Sequence, residues 1–187
     1  VTHLRRALAV LAVPLLLVAA CAEGDRPADE PDASDESSGS APAGEVDYPD
    51  DGLDLVGLPE LPGVYERALQ TYIDFERGRR LAARTGEVGR LLSFNATASV
   101  VDPYREALAA YADRGTYGGD VVIEFLDVRP RDSVLRLDLC VDATALVVPD
   151  GAPTQLGEAT RGPQRIEVTN LVGPWRVTRA EPVDGSC

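Results

Sequence analysis

The sequence predicts an α+β domain in which helices come first and pack on one face of a curved antiparallel sheet of about four strands. Two observations carry this expectation. Between residues 64 and 115 apolar side chains recur at helical spacing, and beyond Gly118-Gly119 the period drops to two. The later apolar runs are separated by short turns or by a Pro- and Gly-rich loop, as in antiparallel meanders.

Pro62-Gly63 opens the domain. From Val64 onward Tyr65, Ala68, Leu69, Tyr72, Ile73 and later Leu81 form an apolar stripe. Glu66, Arg67, Gln70, Asp74, Arg77 and Arg80 fall mostly on the other side. Thr85-Gly86 ends that helix, and a short second one is expected over 87–94. A third carries Tyr104, Leu108 and Tyr111 and stops at Gly115. Asp102-Pro103 suits its cap and first helical position, whereas a start near Thr97 would place Pro103 inside it.

The first predicted strand alternates Val121, Ile123 and Phe125 with Val122, Glu124 and Leu126, and Pro130 to Ser133 turns the chain. The next sets Leu135, Leu137, Leu139 and Val141 against Arg136, Asp138, Cys140 and Asp142, giving one apolar and one mixed face. A loop over 149–163 leads to Arg165–Thr169. The turn Val172-Gly173-Pro174 then leads to Trp175–Thr178.

The N-terminal segment is an address. Arg5-Arg6 precedes an apolar run from Ala7 to Ala20, which ends Val18-Ala19-Ala20-Cys21. A basic start, a short apolar core and small residues before a cut are the parts of a secretory signal. The run is shorter than the roughly 20 apolar residues a membrane-crossing helix needs, and it contains Pro14. Residues 1–20 are therefore expected to be a signal peptide. The cysteine after the cut resembles the bacterial lipobox, which implies that the Cys21 thiol carries a lipid and holds the chain to the extracytoplasmic face of the cell membrane.

Residues 21–57 are expected to be the lipidated cysteine and a disordered acidic tether. Between Ala22 and Asp54 twelve Asp or Glu stand against the single Arg26. Such a stretch, with scattered Pro, Gly and Ser, buries too little apolar area to offset chain entropy. It lacks the loop spacing of a calcium site. The remainder carries nineteen acids against fifteen arginines, an ordinary surface balance. Neither part offers a basic patch in sequence, so nucleic acid is not an expected partner. Residues 58–187 are read as one domain.

With Cys21 assigned to the lipid, Cys140 and Cys187 remain as an even pair in an oxidising compartment, where a disulfide is the default. Two cysteines without further ligands make a poor metal site. The single histidine, His3, leaves with the signal, so Ser-His-Asp and Cys-His machinery cannot be assembled in the mature chain. No phosphate-cradling glycine loop is present, and no cofactor is expected.

Over roughly residues 60 to 187 the three helices, the four following strands, Tyr104 to Gly115, Leu139-Cys140-Val141-Asp142, Trp175-Arg176-Val177 and the terminal Gly185-Ser186-Cys187 resemble the nuclear transport factor 2-like superfamily. In particular they are similar to small secreted proteins and lipoproteins of high-GC Gram-positive bacteria. The resemblance implies a cone with a pocket between helices and sheet. In enzymes of that superfamily the pocket holds a carboxylate base and tyrosine donors. Tyr65, Tyr72, Glu124, Asp138 and Asp142 are the available residue types, but no motif assigns any of them, and no catalytic residue is carried over. The tyrosines also fit amphipathic core positions, and the acids fit solvated strand positions. The expected function is a non-catalytic, lipid-anchored binding or accessory module that takes a protein partner or a small hydrophobic ligand. The alternative is a small isomerase or dehydratase using a pocket carboxylate.

Overall fold

A hairpin precedes the helices. The computed structural model describes residues 44–187, and these begin with strands β1 (Gly44–Tyr48) and β2 (Leu53–Leu58). The helices follow as α1 (Val64–Thr85), α2 (Arg90–Asn95) and α3 (Ala98–Tyr111), closed by a single 3-10 turn at Ala112–Arg114. Strands β3 (Gly118–Gly119), β4 (Val121–Arg131), β5 (Val134–Asp142), β6 (Leu146–Val147), β7 (Arg161–Thr169) and β8 (Arg176–Pro182) complete the chain. Among these residues no helix is long and apolar enough to cross a membrane.

The main sheet has six strands in the order β1-β2-β4-β5-β7-β8, and β3 pairs with β6 separately. Strands β2 and β4 run parallel, with all three helices in the crossover between them, and the other pairs are antiparallel. The expected helices-first arrangement with about four antiparallel strands, and with it the nuclear transport factor 2-like cone, does not hold. Two strands come first, and the sheet is mixed.

The segment read as tether to residue 57 thus contains a hairpin that begins at Gly44. Its charges hid it: Glu45, Asp47, Asp50, Asp51 and Asp54 lower the mean hydropathy of a stretch whose Leu53 and Leu55 are fully buried. Helix α1 holds the hairpin through arginines. Arg77 pairs with Asp51 at 2.7 Å and stacks over the Tyr48 ring at 4.6 Å. The Arg80 guanidinium donates to the carbonyls of Gly52 and Gly119 at 3.3 and 2.7 Å, and Arg84 donates to Asp50 O at 2.6 Å. A charge-assisted bond is about twice as strong as a neutral one. These contacts fasten a turn that local propensity alone would leave open.

The core lies between α1 and one face of the sheet. Ala68, Leu69, Tyr72 and Ile73 on α1 face Leu55, Ile123, Phe125, Leu137, Leu139 and Ile166 on the strands, all buried in one cluster. Tyr72 meets Phe125 edge to face at 5.9 Å between ring centroids. The expected stripe is correct in its first half and rotated in its second, where Arg80 is buried and Leu81 is 44 % exposed. Helix α2 crosses α1 at Gly78, where an added Cβ would lie 2.5 Å from the Leu92 backbone nitrogen, so only glycine permits the approach. Helix α3 starts after Thr97 and contains Pro103. Thr97 N–H donates to Val177 O at 2.9 Å, tying this helix to the edge strand β8.

The opposite face of the sheet carries paired charges. Arg165 donates to Asp138 at 2.6 Å, with Arg136 3.7 Å from the same carboxylate, and Arg161 lies 3.7 Å from Asp142. Cys140 opens on this face and is joined to Cys187 in a disulfide with the Cα atoms 5.8 Å apart. The bridge draws the C-terminal tail across β5 and excludes Cys140 from solvent. The segment 1–20 expected to be a signal peptide, Cys21 and most of the expected tether lie outside the described residues.

Candidate functional site

Helix α1 presents Tyr72, Glu76, Arg79 and Arg80 at intervals of four, seven and eight residues, which places them on one face. That face lies against the sheet and the 148–160 loop, so a polar stretch of sequence becomes a buried polar cluster. Glu76 is fully buried. Its Oε2 accepts from Arg79 Nε at 2.9 Å and from Arg79 Nη2 at 2.5 Å, whereas among the described residues no hydrogen bond of ordinary geometry reaches its Oε1. Tyr104 on α3 donates its hydroxyl to Arg79 O at 2.8 Å.

Two further amides converge on the same place. Gln164 is the one polar side chain that β7 turns inward; it is buried, and its Oε1 has no partner among the described residues. Gln155 comes from the 148–160 loop, and its buried Nε2 is likewise unmatched. The loop is held by Tyr117, whose hydroxyl donates to Pro153 O at 2.9 Å, and by the buried Leu156. Tyr72 Oη, one turn below Glu76, makes no hydrogen bond of ordinary geometry among the described residues but faces the Glu76 carboxylate, whose charge and hydrogen bonding both raise the phenol.

Glu76, Arg79, Tyr104, Gln155 and Gln164 border a cavity of about 230 Å³ between α1, α3, the loop and β7. Phe75, Leu92, Val100, Pro103 and Ala180 form its apolar walls, and Glu76, Arg79, Gln155 and Gln164 its polar part. A smaller space of about 80 Å³ adjoins it, shares Arg79, Tyr104 and Gln155, and reaches Arg80 and Tyr117. An unpaired buried donor or acceptor costs about 1–3 kcal/mol. Native proteins rarely leave several around one space without a use.

Electrostatics follow from burial. Burial works against the Arg79 charge, but Glu76 more than offsets it and holds the guanidinium above its ordinary value. Burial, and then the neighbouring Arg79 and Arg84, lower Arg80 to about 10. Burial pushes the Tyr104 phenol up to about 12, and burial followed by the Glu76 charge pushes Tyr72 well above its ordinary value. At neutral pH both phenols are hydroxyl donors. The site therefore offers an acceptor on Glu76, an acceptor on Gln164 and a donor on Gln155, beside an apolar wall.

Of the residue types singled out in sequence, only Tyr72 belongs to this cluster. Tyr65 donates to Asp132 O at 3.1 Å at one end of the sheet, and Glu124 is exposed. Asp138 and Asp142 lie on the charged face; Thr144 bonds to Asp142, through its hydroxyl at 2.6 Å and its backbone N–H at 3.0 Å, lower that carboxyl. Sequence reasoning missed Glu76, Arg79, Gln155 and Gln164. A signal existed for the first: Glu76 continues the stripe of Leu69, Tyr72 and Ile73, a charge at a core position. Among the described residues no group of three or more His, Cys, Asp or Glu could hold a metal ion. Comparison with protein families, curated proteins and solved structures finds no match to this chain.

Proposed function

We propose that this chain is a lipid-anchored extracytoplasmic binding module whose cavity takes a small, partly apolar molecule with hydrogen-bonding donor and acceptor groups at one end. The observation that carries the reading is the pair of unmatched buried amide atoms, Gln164 Oε1 and Gln155 Nε2, beside the buried Glu76 carboxylate at the wall of a cavity that is otherwise largely apolar. The volume is below the roughly 300 Å³ at which drug-sized pockets begin. A monocyclic ligand fits better than a steroid or a lipid chain. The anchor rests on the Val18-Ala19-Ala20-Cys21 sequence, and the disulfide accords with an oxidising compartment.

A lactam is the matched probe, since its N–H and C=O lie side by side on an apolar ring. δ-Valerolactam is expected to raise the melting temperature of the purified protein, whereas toluene does not. The rise is expected to vanish in Gln155→Leu. An equal rise with both compounds, or one that survives Gln155→Leu, would refute the polar recognition. For the anchor, metabolic labelling with a fatty-acid analogue is expected to mark the wild type and not Cys21→Ala. Label retained on that variant would end the lipoprotein reading.

A second reading has one observation in its favour: the buried Glu76 carboxylate lines the cavity, where an isomerase base must stand. It predicts turnover that Glu76→Gln abolishes while lactam binding persists.

A further inference from the structure

One end of the domain combines three features. The tight turn between β7 and β8 projects Leu171 and Val172, which are 73 % and 94 % exposed. Beside it Phe94, at the end of α2, and Val64, at the start of α1, are also exposed. Val64, Phe94, Gly173, Pro174 and Trp175 line an open groove there, with Arg67 and Arg176 at its rim. Arg90 stacks over the Phe94 ring at 4.9 Å. Among the described residues Arg67, Arg90 and Arg176 take part in no ion pair, although most arginines of the sheet and of α1 do. No carboxylate lines the groove.

The third feature is where the chain enters. Gly44 pairs with Leu58, and β2 runs parallel to β4, so Gly44 lies at the sheet end toward which β4 proceeds. The β4–β5 turn, the start of α1 and the β7–β8 turn share that end, because Val134 pairs with Thr169 and Thr169 with Arg176. The tether from Cys21 therefore joins the domain on the side that carries the apolar tip and the unpaired arginines. Residues 22–43 are all that separates Cys21 from the point where the chain enters at this end. Along the chain this end, which also carries the exposed Glu60, Glu66 and Asp132 outside the groove, is closer to Cys21 than the acidic β1–β2 turn at the other.

We propose that this end is a membrane-docking surface, with Leu171 and Val172 entering the interface of an anionic leaflet while Arg67, Arg90 and Arg176 meet its phosphates. Apolar insertion combined with basic residues at the rim is how peripheral proteins add a second membrane signal to a lipid anchor. The inference rests on the anchored reading above, and it fixes how the domain stands on the membrane.

Trp175, the only tryptophan of the chain, sits beside the turn and reports on it. The intact lipidated protein would be reconstituted in phosphatidylcholine vesicles with and without 30 mol % phosphatidylglycerol, both containing lipid brominated near the headgroup. Trp175 emission is expected to fall at least two-fold further in the anionic vesicles. Leu171→Glu/Val172→Glu should remove that difference, and Arg67→Gln/Arg90→Gln/Arg176→Gln should leave less than half of it. The turn residues are exposed, so the first variant folds, and an unchanged circular dichroism spectrum checks this. Equal quenching in wild type and Leu171→Glu/Val172→Glu would overturn the proposal. So would concentration-dependent dimers that the same variant dissolves, since the surface would then cover a second copy. Flotation of the Cys21→Ala chain separates the two readings. If that chain stays off vesicles and the wild-type Trp175 is not quenched, the anchor stands and the docking surface fails. If wild-type Cys21 proves unmodified by mass spectrometry yet Trp175 is quenched, the docking surface stands without the anchor.

Discussion

Replacing Gln164 by leucine separates a binding role from a structural one. Gln164 is 4 % exposed on the inward face of β7, opposite Leu139 in the register, and its Oε1 has no partner among the described residues. Leaving such an acceptor buried costs about 1–3 kcal/mol, and an apolar group of similar shape removes that cost. Gln164→Leu should therefore stabilise the ligand-free protein by about 2 kcal/mol, which at this domain size raises Tm by about 6 °C. The same change should abolish the stabilisation by δ-valerolactam, because an acceptor for its N–H is gone. Urea denaturation at constant m gives the first quantity, and the melting temperature with and without the lactam gives the second. Destabilisation by more than 1 kcal/mol would refute the reasoning, since it would mean that the Gln164 amide is a matched part of the folded core. A gain in stability that leaves the lactam effect intact would move the binding end elsewhere.

Three other outcomes follow from the same structure. Glu76→Ala leaves Arg79, whose side chain is 12 % exposed, without its counter-charge, and should cost about 3–5 kcal/mol in urea unfolding; Glu76→Leu/Arg79→Met should recover most of it. Above pH 10 stability should fall. Tyr104 is raised from 10.0 to about 12, so its contribution is whole below pH 10 and is lost between pH 10 and 12, at up to about 1.4 kcal/mol per pH unit. Tyr72 is raised in the same direction, whereas Arg80, lowered from 12.5 to about 10, relieves a penalty over the same range. Tyr117, also raised by burial, makes it three groups against one, and Tyr104→Phe should flatten the fall measured by thermal denaturation between pH 9 and 12. Finally, Cys140→Ala/Cys187→Ala opens a loop with a sequence separation of 47 and should cost about 4 kcal/mol on the chain-entropy estimate. Amide exchange should quicken in β8 and residues 183–187 before it does in α1.

The sequence was legible where one local period governed a segment. The strands from Val121 to Val141 lie where alternation put them, and α1 spans the residues its stripe marked, because burial of one face decided both. It was illegible where a non-local partner reversed the local signal. Asp47, Asp50, Asp51 and Asp54 read as tether, yet Arg77, Arg80 and Arg84 on α1 reach the β1–β2 turn and make those residues part of a sheet. The same arginines explain why the second half of the α1 stripe turned: Arg80 is buried for its carbonyl contacts, and Leu81 gives way to it. Pro103 reads as a first helical residue, but the Thr97 contact with Val177 starts α3 a turn and a half earlier. The cavity was hidden for a related reason. Glu76 and Gln164 are polar residues at core positions on elements far apart in sequence, and only the sheet order brings them together. Tyr65, Asp138 and Asp142 drew notice by residue type, and the fold spends them on turn and strand pairing.

The most direct test of the binding cavity is a side-chain amide NMR titration of the ¹⁵N-glutamine-labelled protein with δ-valerolactam. The account predicts saturable shifts of the Gln155 and Gln164 NH₂ resonances, with Gln70, exposed on α1 and bonded to Asp74, unmoved. Shifts of Gln70 with none at Gln155 and Gln164 would contradict it.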